Sequence, residues 1–507
     1  MFEGHPKGLW ALSLANTGER FGYYTMLAVF LFFLQDNFGF SMGTSSTIQA
    51  IFLGVVYFVP LFGGMLADRY GFGKLVTAGI LVMFLGYLLL ALPLGAGTMA
   101  LGVMALALTC VCVGTGLFKG NLQVLVGNLY DDPQYSAKRD EGFSIFYMAI
   151  NLGSMFAAAA ALGIMAWVQQ EYAVTKADSY HFAFAVACVS LIFSIMVYYA
   201  FRGTFVHADR AKVADGSSNK QVVEQELSPA ETKERIVCLC LVFAVVIFFW
   251  MAFHQNGITM NQFAREYTAT SATGVTSLMF SVWNLVLGII AVYGLLNVFQ
   301  AKSAKGKLVA AAALVAAGGI LVYKAMTQTA PVAVDAPIFQ QFNPCFVVAL
   351  TPIVLLLFSW LTKKGVPLTS PTKIGLGMLV AAFAFVILLV GSWGLPPQAE
   401  QLAATAAGTA EFASPNLLIV TYLTLTVAEL FLSPIGISFV SKVAPPQYKG
   451  MMMGGWFVAT AIGNFLISIP GWLWGNELYV VWGVLIGVCL VSAIFIFSIL
   501  KKLNKVS

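Results

Sequence analysis

Charge is what this chain has least of. Asp, Glu, Lys and Arg together make up 10% of its 507 residues, against about 25% in an ordinary soluble domain. So little charge cannot clothe a water-facing surface of this size. Metal and redox spacings are lacking as well. The seven cysteines, Cys110, Cys112, Cys188, Cys238, Cys240, Cys345 and Cys489, all fall in or at the edges of apolar stretches. Neither Cys110–Cys112 nor Cys238–Cys240 has metal-site spacing, which points to packing rather than to a disulfide framework. With no nucleophile–base pair in view, an enzyme is not expected, and neither is a cofactor or a bound metal. The start MFEGHPKG lacks a basic region, a short apolar core and a small-residue cleavage site, so no cleavable signal is expected. The net charge of +5 is spread over loops and speaks for orientation, not for a nucleic-acid partner.

What is present in abundance is hydrocarbon. Hydrophobic residues reach 59%, mean hydropathy is +0.85, and apolar runs of about 20 residues, each long enough to cross a bilayer as a helix, recur along the chain. This pattern predicts an all-α polytopic membrane protein with about 14 spans. They read as 9–35, 46–67, 75–95, 98–129, 143–167, 181–201, 236–257, 276–299, 308–326, 338–361, 373–393, 415–440, 451–473 and 478–500. Lys and Arg concentrate in alternate connections, and 393–414 has none, so the positive-inside rule places both termini and the polar stretch 202–235 in the cytoplasm. That stretch falls after six spans. It predicts an N-terminal six-helix bundle (1–201), a linker (202–235) and a C-terminal bundle (236–507), the repeat plan of many secondary transporters.

Two polar residues sit where lipid forbids them without cause. Lys119 lies deep in the uncharged run from Leu101 to Tyr130, and Asn151 lies inside the next apolar helix. A charge at a bilayer centre costs about 2.5–3.5 kcal/mol even on lenient scales, which favours a watery substrate path over simple helix packing. Glu19 with Tyr23, Arg20 with Tyr24, Tyr147 with Asn151, Trp250 with His254, Glu429 with Ser433, and Trp456 with Thr460 are each four apart and share a helix face. Polar faces in lipid turn inward. Helix-to-helix hydrogen bonding suffices to explain Thr460 or Ser433 alone, but it explains the charged members poorly.

The loop GGMLADRYGFGK (Gly63 to Lys74) resembles the connection between helices two and three of the major facilitator superfamily. Three further stretches resemble the proton-coupled oligopeptide transporter (POT) family: His5 to Tyr24, Gly114 to Ser154, and Ala428 to Asn464. The family signature F-Y-x-x-I-N-x-G is met by Phe146, Tyr147, Ile150, Asn151 and Gly153. The resemblance implies a major facilitator fold of two six-helix bundles that bind short peptides between them. By this likeness Tyr23, Tyr24, Tyr57, Lys119, Tyr147 and Asn151 match positions near the peptide carboxylate and backbone. Glu429 and Asn343 match groups holding the amino terminus, with Ser433 nearby, and Trp250 and Trp456 match the aromatic walls. Proton coupling is assigned to Glu19, Arg20, Lys119, His254 and Glu429.

The departures from the family are specific. Its E-x-x-E-R motif appears as Asn16, Thr17, Gly18, Glu19 and Arg20, so the first glutamate is an amide that cannot titrate. The family's arginine two turns on is Leu27, and His254 stands where many members have an acid. The segment FQQFNPCF (Phe339 to Phe346) resembles the start of helix eight, yet two extra spans, together a hairpin at 276–326, precede it. The expected activity is proton-driven uptake of di- and tripeptides across a bacterial inner membrane, with peptides, protons and the bilayer as partners. A relative moving another small solute, such as a modified amino acid, an anionic metabolite or a peptide-like drug, remains open. So does a peptide-sensing transceptor. Oligomeric state and stoichiometry are not set by the sequence.

Overall fold

A computed structural model describes residues 4–209, 227–366 and 368–506. The centre of the 202–235 linker, 210–226, lies outside the described residues. Among the described residues there are fourteen long helices: α1 Lys7–Phe38, α2 Met42–Phe58, α3 Phe72–Leu90, α4 Thr98–Asn128, α5 Arg139–Tyr172, α6 Lys176–Ala200, α7 Pro229–Phe253, α8 Val282–Gln300, α9 Ala304–Thr327, α10 Phe342–Lys363, α11 Ser370–Gly391, α12 Pro415–Val443, α13 Lys449–Leu466 and α14 Leu478–Ser498. Among the described residues, thirteen helical spans are long and apolar enough to cross a membrane. The remaining long helix, α1, has 32 residues and is set apart by Glu19 and Arg20 in its middle. The chain is a multi-pass membrane protein. Strand is confined, among the described residues, to the two-residue pair β1 Ser271–Ala272 and β2 Val332–Ala333, joined antiparallel.

Helix ends follow local chemistry more closely than hydropathy does. The sequence Ser228-Pro-Ala-Glu231 forms a capping box with Pro229 in the first turn, so α7 starts seven residues before the expected 236. It also ends early. The backbone tightens into a 3-10 turn at His254–Gly257, and a second helix, Thr259–Glu266, follows. The expected span 46–67 is broken at Val59, because Pro60 has no N–H to give to the preceding turn; the chain resumes as Pro60–Tyr70. Gly39 closes α1 in the left-handed region at φ 67°, its N–H bonded to Gln35 O and Leu34 O. The inserted hairpin is α8 and α9, beginning at Val282 rather than 276. Its two helices pack on each other, Lys324 Nζ donates to Asn284 Oδ1 across the pair (2.8 Å), and Tyr293 OH donates to Val348 O of α10 (3.1 Å).

The chain divides into two compact units. Unit 1 holds residues Met1–His254, Gly436–Trp472 and Ser498–Ser507. Unit 2 holds Gln255–Ile435 and Leu473–Phe497. In unit 1, α1 packs on α5 and α6, α3 packs on α4 and α6, and α13 lies against both α2 and α7. Small residues let these backbones touch: a Cβ on Gly79 would meet Gly114 O of α4 at 2.7 Å. The seam between α2 and α13 is likewise tight. Asn464 Nδ2 donates to Leu53 O (3.4 Å), Trp472 Nε1 donates to Thr47 Oγ1 (2.8 Å), and a Cβ on Gly54 would lie 2.6 Å from the Phe465 ring. In unit 2, Val347, Val354 and Phe358 of α10 form a core with Leu430 and Phe431 of α12.

Candidate functional site

Unit 1 gathers most of the polar residues singled out in the sequence. On α1, Glu19 and Arg20 are buried and engaged with each other: Arg20 Nε and Nη2 donate to the two Glu19 carboxylate oxygens. The Arg20 guanidinium also lies 4.7 Å from the Tyr23 ring centre, and Tyr23 meets Tyr24 edge to face at 5.2 Å. Such a pair costs little to keep in lipid, because the charges and the donor sites satisfy one another.

Lys119 has a different environment. Its Nζ lies 4.2 Å from the centre of the Tyr57 ring, an attractive cation–π contact, and it has no ion-pair partner among the described residues. The other side of this cluster comes from α7 and α13. His254 stacks on Trp250 at 5.1 Å and 23°, as their four-residue spacing requires, and its ring centre is 6.5 Å from that of Tyr57. Asn464 of α13 lies beside His254. Lys119, Tyr57, His254 and Trp250 thus form a continuous row contributed by α4, α2 and α7.

Several buried polar atoms of unit 1 have no hydrogen-bond partner among the described residues. They are Asn16 Nδ2, Tyr23 OH, Trp250 Nε1, His254 Nδ1 and Asn464 Oδ1. Leaving such a group dry costs about 1–3 kcal/mol, so the row suits water or a polar ligand. Asn151 is buried and its Nδ2 donates to Tyr147 O one turn away (3.3 Å), while the Tyr147 side chain is half exposed. Trp456 is buried in α13 and packs edge-on over Gly436, where a Cβ would lie 2.1 Å from the indole.

Unit 2 holds the second charged centre. Glu429 of α12 is buried, and its Oε2 accepts from Asn343 Nδ2 of α10 at 2.8 Å. The same amide nitrogen lies 3.1 Å from Thr426 Oγ1. Ser433 is half-buried one turn further along α12, next to Pro434, which frees the carbonyl of Leu430. All the groups bonded to Glu429 are neutral. A buried carboxylate held this way can accept a cationic group or a proton.

Two features escaped the sequence reading. Tyr87, in an apolar run of α3, is fully buried with an unpartnered hydroxyl close enough to Glu19 and Arg20 to interact with them. Glu266 of unit 2 is buried in a cage of neutral donors: Gln262 Nε2 (2.6 Å), Gln398 Nε2 (2.8 Å) and Trp474 Nε1 (2.9 Å). The isolated tyrosine carried no polar spacing signal. Two of the donors to Glu266, Gln398 and Trp474, lie more than 130 residues from it in sequence, so only folding brings them to it.

Outside the spans, Tyr130 accepts or donates a hydrogen bond with His5 Nδ1 (2.8 Å), and burial pushes its phenol up to about 12. It is a structural contact that ties the N-terminal segment to the end of α4.

Trp250 and Trp456 carry a testable expectation. Substrate quenching of intrinsic fluorescence should weaken when either is replaced by leucine, because a flat indole supplies contact area at low entropic cost. Unchanged affinity in both single variants would remove them from the binding site.

Comparison with known proteins places this geometry. The sequence model of PTR2, the POT family, matches residues 74–222 and 321–470, more than half of the chain. The matched segments contain Lys119, Tyr147, Asn151, Asn343, Glu429, Ser433 and Trp456, whereas α8 lies wholly in the unmatched interval. The chain is 28% identical over 490 residues to the transporter YclF of Bacillus subtilis, covering 91% of this chain and 86% of YclF. It is 28% identical over 537 residues to the peptide transporter YePEPT of Yersinia enterocolitica (93% and 88% covered). Against dipeptide and tripeptide permease A of Escherichia coli it is 26% identical over 480 residues (91% and 83%). In three dimensions it is similar to a variant of the peptide transporter POT in complex with alafosfalin, with a TM-score of 0.74, 22% identity and coverage of 100% and 96%. A POT family transporter in complex with 5-aminolevulinic acid gives 0.72, 19%, 100% and 98%. These structural likenesses establish the major facilitator fold with an added hairpin. The chain is a member of the POT family of transporters.

Proposed function

We propose that this protein is a proton-coupled symporter that takes up di- and tripeptides across the inner membrane by alternating access, with both termini in the cytoplasm. The observation that carries this reading is two charges of opposite sign without ionic partners among the described residues: Lys119 of unit 1, which is half-buried, and Glu429 of unit 2, which is buried. A short peptide is a zwitterion. Its carboxylate needs a cation, its amino terminus needs an anion, and neutral or aromatic surroundings accept varied side chains. The names of the Yersinia and Escherichia relatives support peptides as the substrate class.

In this reading the N-terminal helices 1–201 and the C-terminal segment 236–507 are the two rocking halves, and 202–235 joins them. The tight seam of α2 and α13 is the gate on the outer side, since α1 starts in the cytoplasm and α2 begins at its far end. Gly54→Leu would drive a side chain into Phe465 and force that seam apart. Uptake should fall at least about tenfold, while labelling of a cysteine placed at Thr47 by an impermeant maleimide in a cysteine-free background should rise. Unchanged labelling would show that the seam is not a gate.

The energetic yield is adequate. One proton falling through 100 mV supplies about 2.3 kcal/mol, or roughly fifty-fold accumulation of a net-neutral substrate. Counterflow with a panel of peptides and non-peptides tests the substrate class. Competition by dialanine supports peptides; competition by an amino-acid derivative such as 5-aminolevulinic acid, without any by dialanine, favours the other-solute reading.

A further inference from the structure

Two nitrogen bases of unit 1 lie beside Tyr57. Lys119 Nζ lies 4.2 Å from the Tyr57 ring centre, and the His254 ring centre lies 6.5 Å from it. Glu19 and Arg20 are the charged groups that act on Lys119. Both oxygens of Glu19, however, are already taken by Arg20. Among the described residues, Lys119 is the one charged group that acts on His254, whose hydrogen-bonding neighbours, the Asn464 side chain and the Trp250 backbone, are neutral. Its ring neighbours, Trp250, Phe253 and Tyr57, are neutral too.

The local charge is therefore positive and becomes more so whenever His254 takes up a proton, since both imidazole nitrogens are then donors. One carboxylate satisfies Lys119. A second anion is needed to balance a protonated His254, and the residues around it supply none. From this juxtaposition of Lys119 and His254 across Tyr57 we infer that His254 recognises a second anionic group on the substrate, so that this transporter favours peptides with an acidic side chain. The inference rests on the peptide-symport reading above and adds a selectivity to it. It also links the two ligands. An acidic side chain stabilises the proton on His254, and the proton in turn favours the acidic side chain, because such coupling is reciprocal.

The test compares two competitors of nearly the same shape, alanyl-glutamate and alanyl-glutamine, in dialanine counterflow with the purified full-length protein at pH 6. Alanyl-glutamate is expected to compete at about tenfold lower concentration, the worth of one charge-assisted hydrogen bond over a neutral one. His254→Gln should bring the ratio to about one, and His254→Glu should reverse it. Equal competition by the two dipeptides in the wild-type protein overturns the inference while leaving peptide transport intact. A preference that survives in His254→Gln overturns the assignment to His254. No exchange of dialanine or of either dipeptide would overturn the peptide reading itself, and this inference with it. The wild-type ratio decides the selectivity even if a variant fails to fold.

Discussion

Lys119→Ala is expected to abolish proton-driven accumulation of dialanine, and Glu429→Gln to do the same, while both variants still purify as folded protein. The cause in each case is a charge, half-buried at Lys119 and buried at Glu429, whose counter-charge is not supplied by a neighbouring side chain among the described residues. Lys119 rests on the π face of Tyr57, and Glu429 accepts from the Asn343 amide. Both are stable enough to fold but not electrically matched. Under the proposed function a ligand carboxylate would complete Lys119 and a ligand ammonium Glu429, each by a charge-assisted hydrogen bond worth about 1.5–3 kcal/mol, so each substitution is expected to cost roughly ten- to hundredfold in affinity before coupling is considered. Folding should survive, because removing an unpaired charge from a low-dielectric site relieves desolvation. Uptake into proteoliposomes and size-exclusion profiles measure the two halves of this expectation. Full accumulation in either well-folded variant contradicts the assignment of that residue.

His254→Gln is expected to uncouple transport. Glutamine keeps hydrogen-bonding capacity and comparable size but cannot titrate, whereas an imidazole in water titrates near 6.5, within the working range of a bacterial membrane. Asn16 replaces the titratable first glutamate of the family pattern, and Glu19 is bound on both oxygens by Arg20, so carriers on the N-terminal side are few. With glutamine at 254, dialanine accumulation driven by an inward proton gradient should fall at least about tenfold, while gradient-free exchange persists. The pH profile of the remaining uptake should flatten. If accumulation and its pH profile are unaltered, His254 is a packing residue on Trp250, and Glu429 becomes the proton carrier.

Much of this could be read from the chain before its fold. Span positions follow from hydrocarbon length, and the hairpin α8–α9 is legible as two extra apolar runs around a basic loop. The spacing Trp250 to His254 reports a shared helix face, and the rings indeed stack. What the sequence hides depends on contacts between distant segments. Nothing near His254 in sequence announces that Tyr57 and Lys119 come from two other helices to complete its row. Hydropathy also misses local backbone chemistry. The capping box moves the start of α7 outward, the turn at His254–Gly257 ends it early, and Pro60 breaks the second span. The buried cage around Glu266 and the buried Tyr87 were invisible for opposite reasons: one lies in a polar stretch that looks solvated, the other in an apolar stretch that looks like core.

The central claim is that protons drive peptides through this protein. It is tested most directly by loading proteoliposomes to give an inward proton gradient and inside-negative potential, then following labelled dialanine with and without a protonophore. The account predicts accumulation above the external concentration that collapses when the protonophore is added. Uptake that only equilibrates, or accumulation indifferent to the protonophore, would contradict it.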